Sequence, residues 1–97
     1  MITPKQRATL RALSNTLDPV LQIGKDGITE GTKMQANSLF EARELFKVKV
    51  LNNCDESAKD IASELANELN CEVVQVIGNK IALYRRSTKQ KVKHIEF

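Results

Sequence analysis

The sequence predicts an α/β (α+β) fold of order α-β-α-β-α-β-β, a four-stranded mixed sheet packed with helices. Three observations predict it. Segments of helical period alternate with short apolar or alternating segments of strand period. Pro4, Pro19, Gly24, Gly27 and Gly78 punctuate these segments. Only Gly78-Asn79 separates the last two strand-like runs, which suits a hairpin with glycine first in a two-residue loop. Strands separated by helices imply crossovers and largely parallel pairing, with an antiparallel hairpin at the end.

Thr3-Pro4 opens the first helix. Thr3 can cap, Pro4 suits the first helical position, and Gln6 completes a capping box. Leu10, Leu13 and Leu17 carry it to about Asn15 or Leu17, and Asp18-Pro19 breaks it. PVLQI at 19–23 reads as a short buried strand. Thr29 then caps a second helix running to about Arg43, with Glu30 in its first turn and Thr32, Ala36, Leu39 and Phe40 on its inner face. In LFKVKVL at 45–51, Phe46, Val48 and Val50 face one way and Lys47 and Lys49 the other. Asp55 or Ser57 caps a third helix whose stripe is Ala58, Ile61, Ala62, Leu65 and Leu69. Its outer face is acidic, with Glu56, Asp60, Glu64 and Glu68, and is expected to point away from any nucleic acid. EVVQVI at 72–77 and KIALYR at 80–85 form the final hairpin. The remainder, from about residue 87 to 97, is polar and basic without a period and reads as a loosely ordered tail.

The 97 residues fit one domain, spanning 1–97, with 41% hydrophobic and 28% charged residues. No apolar run approaches the roughly 20 residues of a membrane span. MITPKQRATLRALS lacks the apolar centre of a signal peptide, so a cytoplasmic protein with no membrane partner is expected. Cys54 and Cys71 fit no zinc motif and are expected to stay reduced. Charge is unevenly spread. Residues 1–49 hold eight Lys/Arg against five Asp/Glu, residues 50–84 two against six, and residues 85–97 five against one. Positive charge gathered at both ends of a small domain favours a polyanionic partner.

Catalysis finds little support. His94 is the one histidine and lies in the basic tail, no cluster has metal-ligand spacing, and no P-loop is present. A non-enzyme without cofactors is expected. Gly24-Lys25-Asp26-Gly27 is more informative. Glycine permits φ > 0 and removes Cβ, so a ligand can approach the backbone. Loop N–H groups and the next helix N-terminus together favour an anion, and Lys25 adds charge at the tip. Two readings stand at this point: a tight strand-to-helix turn whose glycines satisfy geometry, or a cradle for phosphate. KH domains use such a loop on single-stranded nucleic acid, but place it between two helices.

Three longer blocks add to this: PVLQIGKDGITEG at 19–31, LFEARELFKVKVL at 39–51 and VVQVIGNKIALYRR at 73–86. Together they resemble the CRM domain (chloroplast RNA splicing and ribosome maturation) and its stand-alone bacterial form, the YhbY family, over nearly the whole chain from Thr3. The resemblance implies the same α-β-α-β-α-β-β order, a topology similar to the C-terminal domain of translation initiation factor three. It implies RNA binding through the G-x-x-G loop and nearby basic surface. It further implies association of the bacterial members with ribosomal RNA of large-subunit precursor particles; plant members assist group II intron splicing. Carried over by position, Gly24 and Gly27 match the motif glycines, with Lys25 and Asp26 between them. Thr29 and Glu30 match the segment after the loop, and Arg85 matches the basic residue after the last strand's tyrosine. Three positions depart from the family pattern: Thr32 stands where an aliphatic residue is common, Asn37 where an acid is, and Arg86 where a proline is.

The expected RNA-binding set is Gly24, Lys25, Asp26, Gly27, Thr29, Lys33, Arg85 and Arg86. Lys33 enters because it lies about one turn past the loop. Lys47 and Lys49, beside Lys5, Arg7 and Arg11 of the first helix, form a phosphate stripe if their face is open. If a helix covers it, they emerge at an edge with packed stems. Aromatic residues are too few for a base-stacking platform, so backbone phosphate and shape should dominate. The expected protein is a non-catalytic monomer assisting large-subunit assembly. The alternative is a protein-interaction module that docks a basic ribosomal protein through the acidic third helix.

Overall fold

A computed structural model of the chain describes residues 2–87. The elements are α1 (Pro4–Ser14), β1 (Pro19–Ile23), α2 (Glu30–Arg43), β2 (Leu45–Val50), α3 (Ala58–Leu69), β3 (Glu72–Ile77) and β4 (Lys80–Tyr84). Each helix starts at a side-chain cap. Thr3 Oγ1 accepts from the Gln6 N–H while Gln6 Oε1 accepts from the Thr3 N–H, closing the capping box. Thr29 caps α2 through the Thr32 N–H, and Ser57, rather than Asp55, caps α3 through the Asp60 N–H. These bonds satisfy N–H groups that the first turn leaves without helical partners.

The four strands form one mixed sheet in the order β1-β2-β4-β3. β1 and β2 are parallel, and β4 runs antiparallel to both β2 and β3. The expectation of largely parallel pairing is therefore corrected. The crossover through α3 does leave β3 pointing the same way as β2. However, β3 lands one position away, and the returning β4 fills the gap.

Two layers cover this sheet. Phe46, Val48, Val50, Ile81 and Leu83 point to the α2/α3 side and join Ala36 and Phe40 of α2 with Ile61, Leu65 and Leu69 of α3. The Phe40 and Phe46 rings meet at 4.6 Å, tilted by 53°. Of the expected α2 inner face, Ala36 and Phe40 are buried, whereas Leu39 and Thr32 are half-buried. On the opposite side α1 seats Leu10 against Leu45, Val74, Ala82 and Tyr84. Arg7 pins the same helix to β3: its Nη1 donates to the Val73 carbonyl, and its guanidinium lies 3.6 Å from Glu72. Gln75 Nε2 ties the other end of α1, donating to Ser14 Oγ and Asn15 Oδ1.

The start of the expected loose tail is also corrected. Ser87 is buried; its N–H donates to Glu44 Oε2 at 2.7 Å and its hydroxyl to the Glu41 carbonyl. Glu44 ends α2 with φ +65°, and its own carbonyl accepts the Arg85 N–H. The chain after β4 is thus clamped to the end of α2 through residue 87. The rest of the expected tail, 88–97 with His94, lies outside the described residues.

Candidate nucleic-acid interface

Three connections meet where β1 and β2 end. They are the glycine loop after Ile23, the β2–α3 connection from Leu51, and the β3–β4 turn at Gly78-Asn79. Main-chain bonds join them: the Leu51 N–H donates to the Ile23 carbonyl at 2.8 Å, and the Val50 N–H to the Asn79 carbonyl at 2.7 Å. Within the glycine loop, the Gly27 N–H donates to the Gly24 carbonyl at 3.0 Å. The loop is therefore a tight turn braced on the rigid end of the sheet.

Its two glycines serve different needs. A Cβ on Gly24 would stand 3.3 Å from Asn53 Oδ1 and 3.5 Å from a Leu51 methyl, so the chain's own β2–α3 connection packs closely here and a side chain enters only as the Asn53 carboxamide gives way. Gly27 has φ +66°, a left-handed conformation that glycine adopts without steric cost. Lys25 and Asp26 project at the exposed tip between them. Thr29 follows as the cap of α2 and shares a 3.0 Å hydrogen bond with the Thr32 hydroxyl, which accounts for a polar residue at 32.

The structure brings Gly24, Lys25, Asp26, Gly27 and Thr29 together. Lys33 lies one turn along α2, but its ammonium is already held by Glu30 at 2.8 Å and Glu68 at 3.4 Å. The Glu30 hydrogen bond is the main cause pushing the Lys33 pKa above the ordinary lysine range. Arg85 and Arg86 follow β4 at the opposite end of the sheet, roughly 16 Å from Lys80 at about 3.3 Å per strand residue. Arg85 Nη1 donates to the Leu69 carbonyl and to Asn37 Oδ1, both at 2.9 Å, and its guanidinium lies 4.6 Å from the centroid of the Phe40 ring. This explains the polar residue at 37. It also supplies a cation to the end of α3, whose last turn has no basic residue. Arg86 is exposed.

The acidic helix does not point away from the loop. Glu56 Oε2 would lie 3.8 Å from a Cβ at Gly27, and Glu68 reaches across to Lys33 on α2. These segments are far apart along the chain, and only packing brings them together. Glu64 hydrogen-bonds Glu56 and, with burial and further acidic charge, pushes its pKa above the usual carboxylate range. A carboxyl with a raised folded pKa binds its proton more readily folded than unfolded. The Glu56 carboxyl therefore favours the fold as pH drops through the acid range, and that contribution is lost as Glu56 ionises. Glu64→Gln is expected to bring the Glu56 titration down, as read from carboxyl carbon-13 shifts against pH. An unmoved titration would place the cause in desolvation and the Asp60 charge instead.

Lys47 and Lys49 occupy the sheet face opposite α2 and α3, and Lys80, a residue that sequence reasoning did not single out, joins them. The register places Lys80 directly across from Lys49. Correct pairing of β2 with β4 rather than β3 was the missing information.

Other chemistry is sparse. Both cysteines are free, and burial pushes the Cys71 thiol up to about 11, which leaves little thiolate at neutral pH. Among the described residues no group of three His, Cys, Asp or Glu could hold a metal ion, and no helix is long and apolar enough to cross a membrane.

A braced glycine turn leading into a capped helix, on a mixed sheet with helices on both faces, defines a class of small α+β domain. The chain belongs to the CRS1 / YhbY (CRM) domain family, whose model matches residues 2–85. It is 42% identical over 91 residues to the Bacillus subtilis protein named "Probable RNA-binding protein YqeI", covering 94% of this chain and 95% of the relative. It is 33% identical over 91 residues to a Haemophilus influenzae protein named "RNA-binding protein", covering 94% and 92%. A Staphylococcus aureus protein solved in solution superposes with a TM-score of 0.78 at 42% identity, covering 98% of this chain and 100% of that one.

Proposed function

We propose that this protein is a non-catalytic RNA-binding protein that engages ribosomal RNA of large-subunit precursors and assists their assembly in the cytoplasm. The observation that carries the reading is the braced loop itself. Gly27 holds φ +66°, Lys25 stands exposed beside it, and the capped N-terminus of α2 follows, in a chain whose relatives are named RNA-binding. Such a loop presents backbone without side chains, N–H groups and a cation, the set that suits a phosphodiester. Gly24, Lys25, Asp26, Gly27 and Thr29 form the proposed contact. Lys33 supports it by tying α2 to α3, Arg85 supports it by locking the α2/α3 layer, and Arg86 offers a separate exposed charge.

Lys25→Ala is expected to lower the slope of log affinity against log salt by up to about one unit, because one phosphate contact would be lost. An unchanged slope would remove Lys25 from the contact. The assembly role is tested by crosslinking the tagged protein in cells, sequencing the bound RNA and fractionating lysate on gradients. Crosslinks focused on large-subunit rRNA, with the protein in precursor fractions, are expected. Diffuse crosslinks with the protein in light fractions would overturn the assembly role and favour docking of a basic protein on the exposed acids of α3.

A further inference from the structure

We propose that the uncovered half of the sheet face bearing Lys47, Lys49 and Lys80 is a second RNA contact, which takes the phosphate backbone as it leaves the glycine loop. The proposal rests on the RNA-binding reading above. Helix α1 covers one end of this face, over Leu45, Val74, Ala82 and Tyr84, and its last residues Ser14 and Asn15 hold the Gln75 carboxamide. Beyond it the row next to the loop is open, and the row behind it is partly closed by α1, with Ala82 buried and Lys47 half-buried. In the row next to the loop, Gln22, Lys49 and Lys80 lie side by side on β1, β2 and β4, and Ile77 of β3 completes it. In the second row, Lys47 stands opposite Ala82, which in turn pairs with Gln75. Lys47, Gln75, Ile77, Lys80 and Ala82 line a shallow groove of about 200 Å³.

The charged residues of β2 and β4 beyond α1, namely Lys47, Lys49 and Lys80, are all of one sign. Lys49 directly opposite Lys80 is a like-charge cross-strand pair, an arrangement that destabilises a sheet. The ion pairs Arg7–Glu72, Lys33–Glu30 and Lys33–Glu68 do not involve these three lysines. Lys47 and Lys49 are half-buried, with room to pack their stems on the sheet and lift their ammonium groups to solvent. Ile77, 62% exposed, supplies an apolar floor beside them.

Charge complementarity selects the occupant. The loop is flanked on its α3 side by Glu56, so a polyanion seated on Gly24–Gly27 is repelled there. On the other side Gln22, two residues before Gly24, begins the lysine row. A backbone entering at the loop therefore has its favourable path across the lysines.

The test compares the wild-type chain, K47Q/K49Q/K80Q, K47R/K49R/K80R and K25A on one labelled short RNA hairpin across a potassium chloride series. The glutamine variant is expected to lose about two units of salt slope, at roughly 0.7 per phosphate, and the arginine variant to keep the wild-type slope. An unchanged slope in the glutamine variant would overturn the proposal, and with a reduced slope in K25A would leave the loop reading intact. Lack of binding by wild-type protein would overturn both. As a check that needs no variant, amide resonances of Lys47, Lys49, Ile77 and Lys80 should shift when wild-type protein is titrated with the hairpin; static resonances sink the idea. Capture of poly-glutamate by wild type but not by K47Q/K49Q/K80Q, alongside an unchanged RNA slope, would assign the face to an acidic protein.

Discussion

Gly27→Val is expected to weaken RNA binding at least about tenfold, equivalent to about 1.4 kcal/mol, while the domain remains folded. The backbone at 27 sits at φ +66°, where a β-branched residue is a genuine outlier. Holding valine there would cost about 1–3 kcal/mol, or else the turn would open. Either response moves the Lys25–Asp26 tip and the N–H groups that the proposed contact needs. The nearest atom to a new Cβ is Glu56 Oε2 at 3.8 Å, so inward clash is not the source of the effect. Gly27→Asn separates two causes, because asparagine tolerates the left-handed region. If the asparagine variant binds like wild type, turn shape alone matters; if it also fails, the ligand needs the space that a side chain would fill. A folded valine variant with wild-type affinity would remove the loop from the interface. Gly24→Asp acts differently: its Cβ meets Asn53 Oδ1 at 3.3 Å, so the Asn53 side chain must shift slightly, and it adds negative charge to the cradle.

Phe40→Ala is expected to cost about 3–5 kcal/mol of folding stability, a large part of the roughly 5–15 kcal/mol that holds such a domain. Phe40 is fully buried, packs its ring on Phe46 at 4.6 Å, and carries the Arg85 guanidinium 4.6 Å from its centroid. Truncation empties the contact between α2 and β2 and removes the surface on which Arg85 rests while bonding Leu69. Urea denaturation should show a much lower midpoint with little change in slope. A loss below about 1 kcal/mol, the cost of a well-tolerated hydrophobic exchange, would mean that the two helices close over the gap.

Local features of this fold were legible in the chain, whereas long-range ones were not. Pro19–Ile23 read as a strand because proline and glycine bracket five residues, and Thr3 and Thr29 read as caps because capping is decided within three residues. The place of β4 was hidden, since a two-residue hairpin fixes its pairing with β3 but says nothing about β2. The same gap explains the site. Gly24, Lys25, Asp26, Gly27 and Thr29 are neighbours in sequence and stay neighbours in space. Arg85 matched the family pattern yet bonds Leu69 and Asn37, at the far end of the sheet. One sequence sign did exist: the last turn of α3 lacks a cation of its own, so its carbonyls needed a donor from elsewhere. Lys80 and Glu56 gave no such sign, because their roles depend on register and helix packing.

The position of β4 also has a kinetic consequence. The last described strand in the chain is an interior strand of the sheet, hydrogen-bonded on both sides. Until Lys80–Tyr84 leaves the ribosome, the β1–β2 pair and β3 have no strand between them, and each keeps an open backbone edge. The sheet cannot grow strand by strand during synthesis; it closes in one late step, when the final segment threads its bonds to both halves at once. Loss of even a few residues around Leu83 would therefore open a gap inside the sheet rather than fray its end.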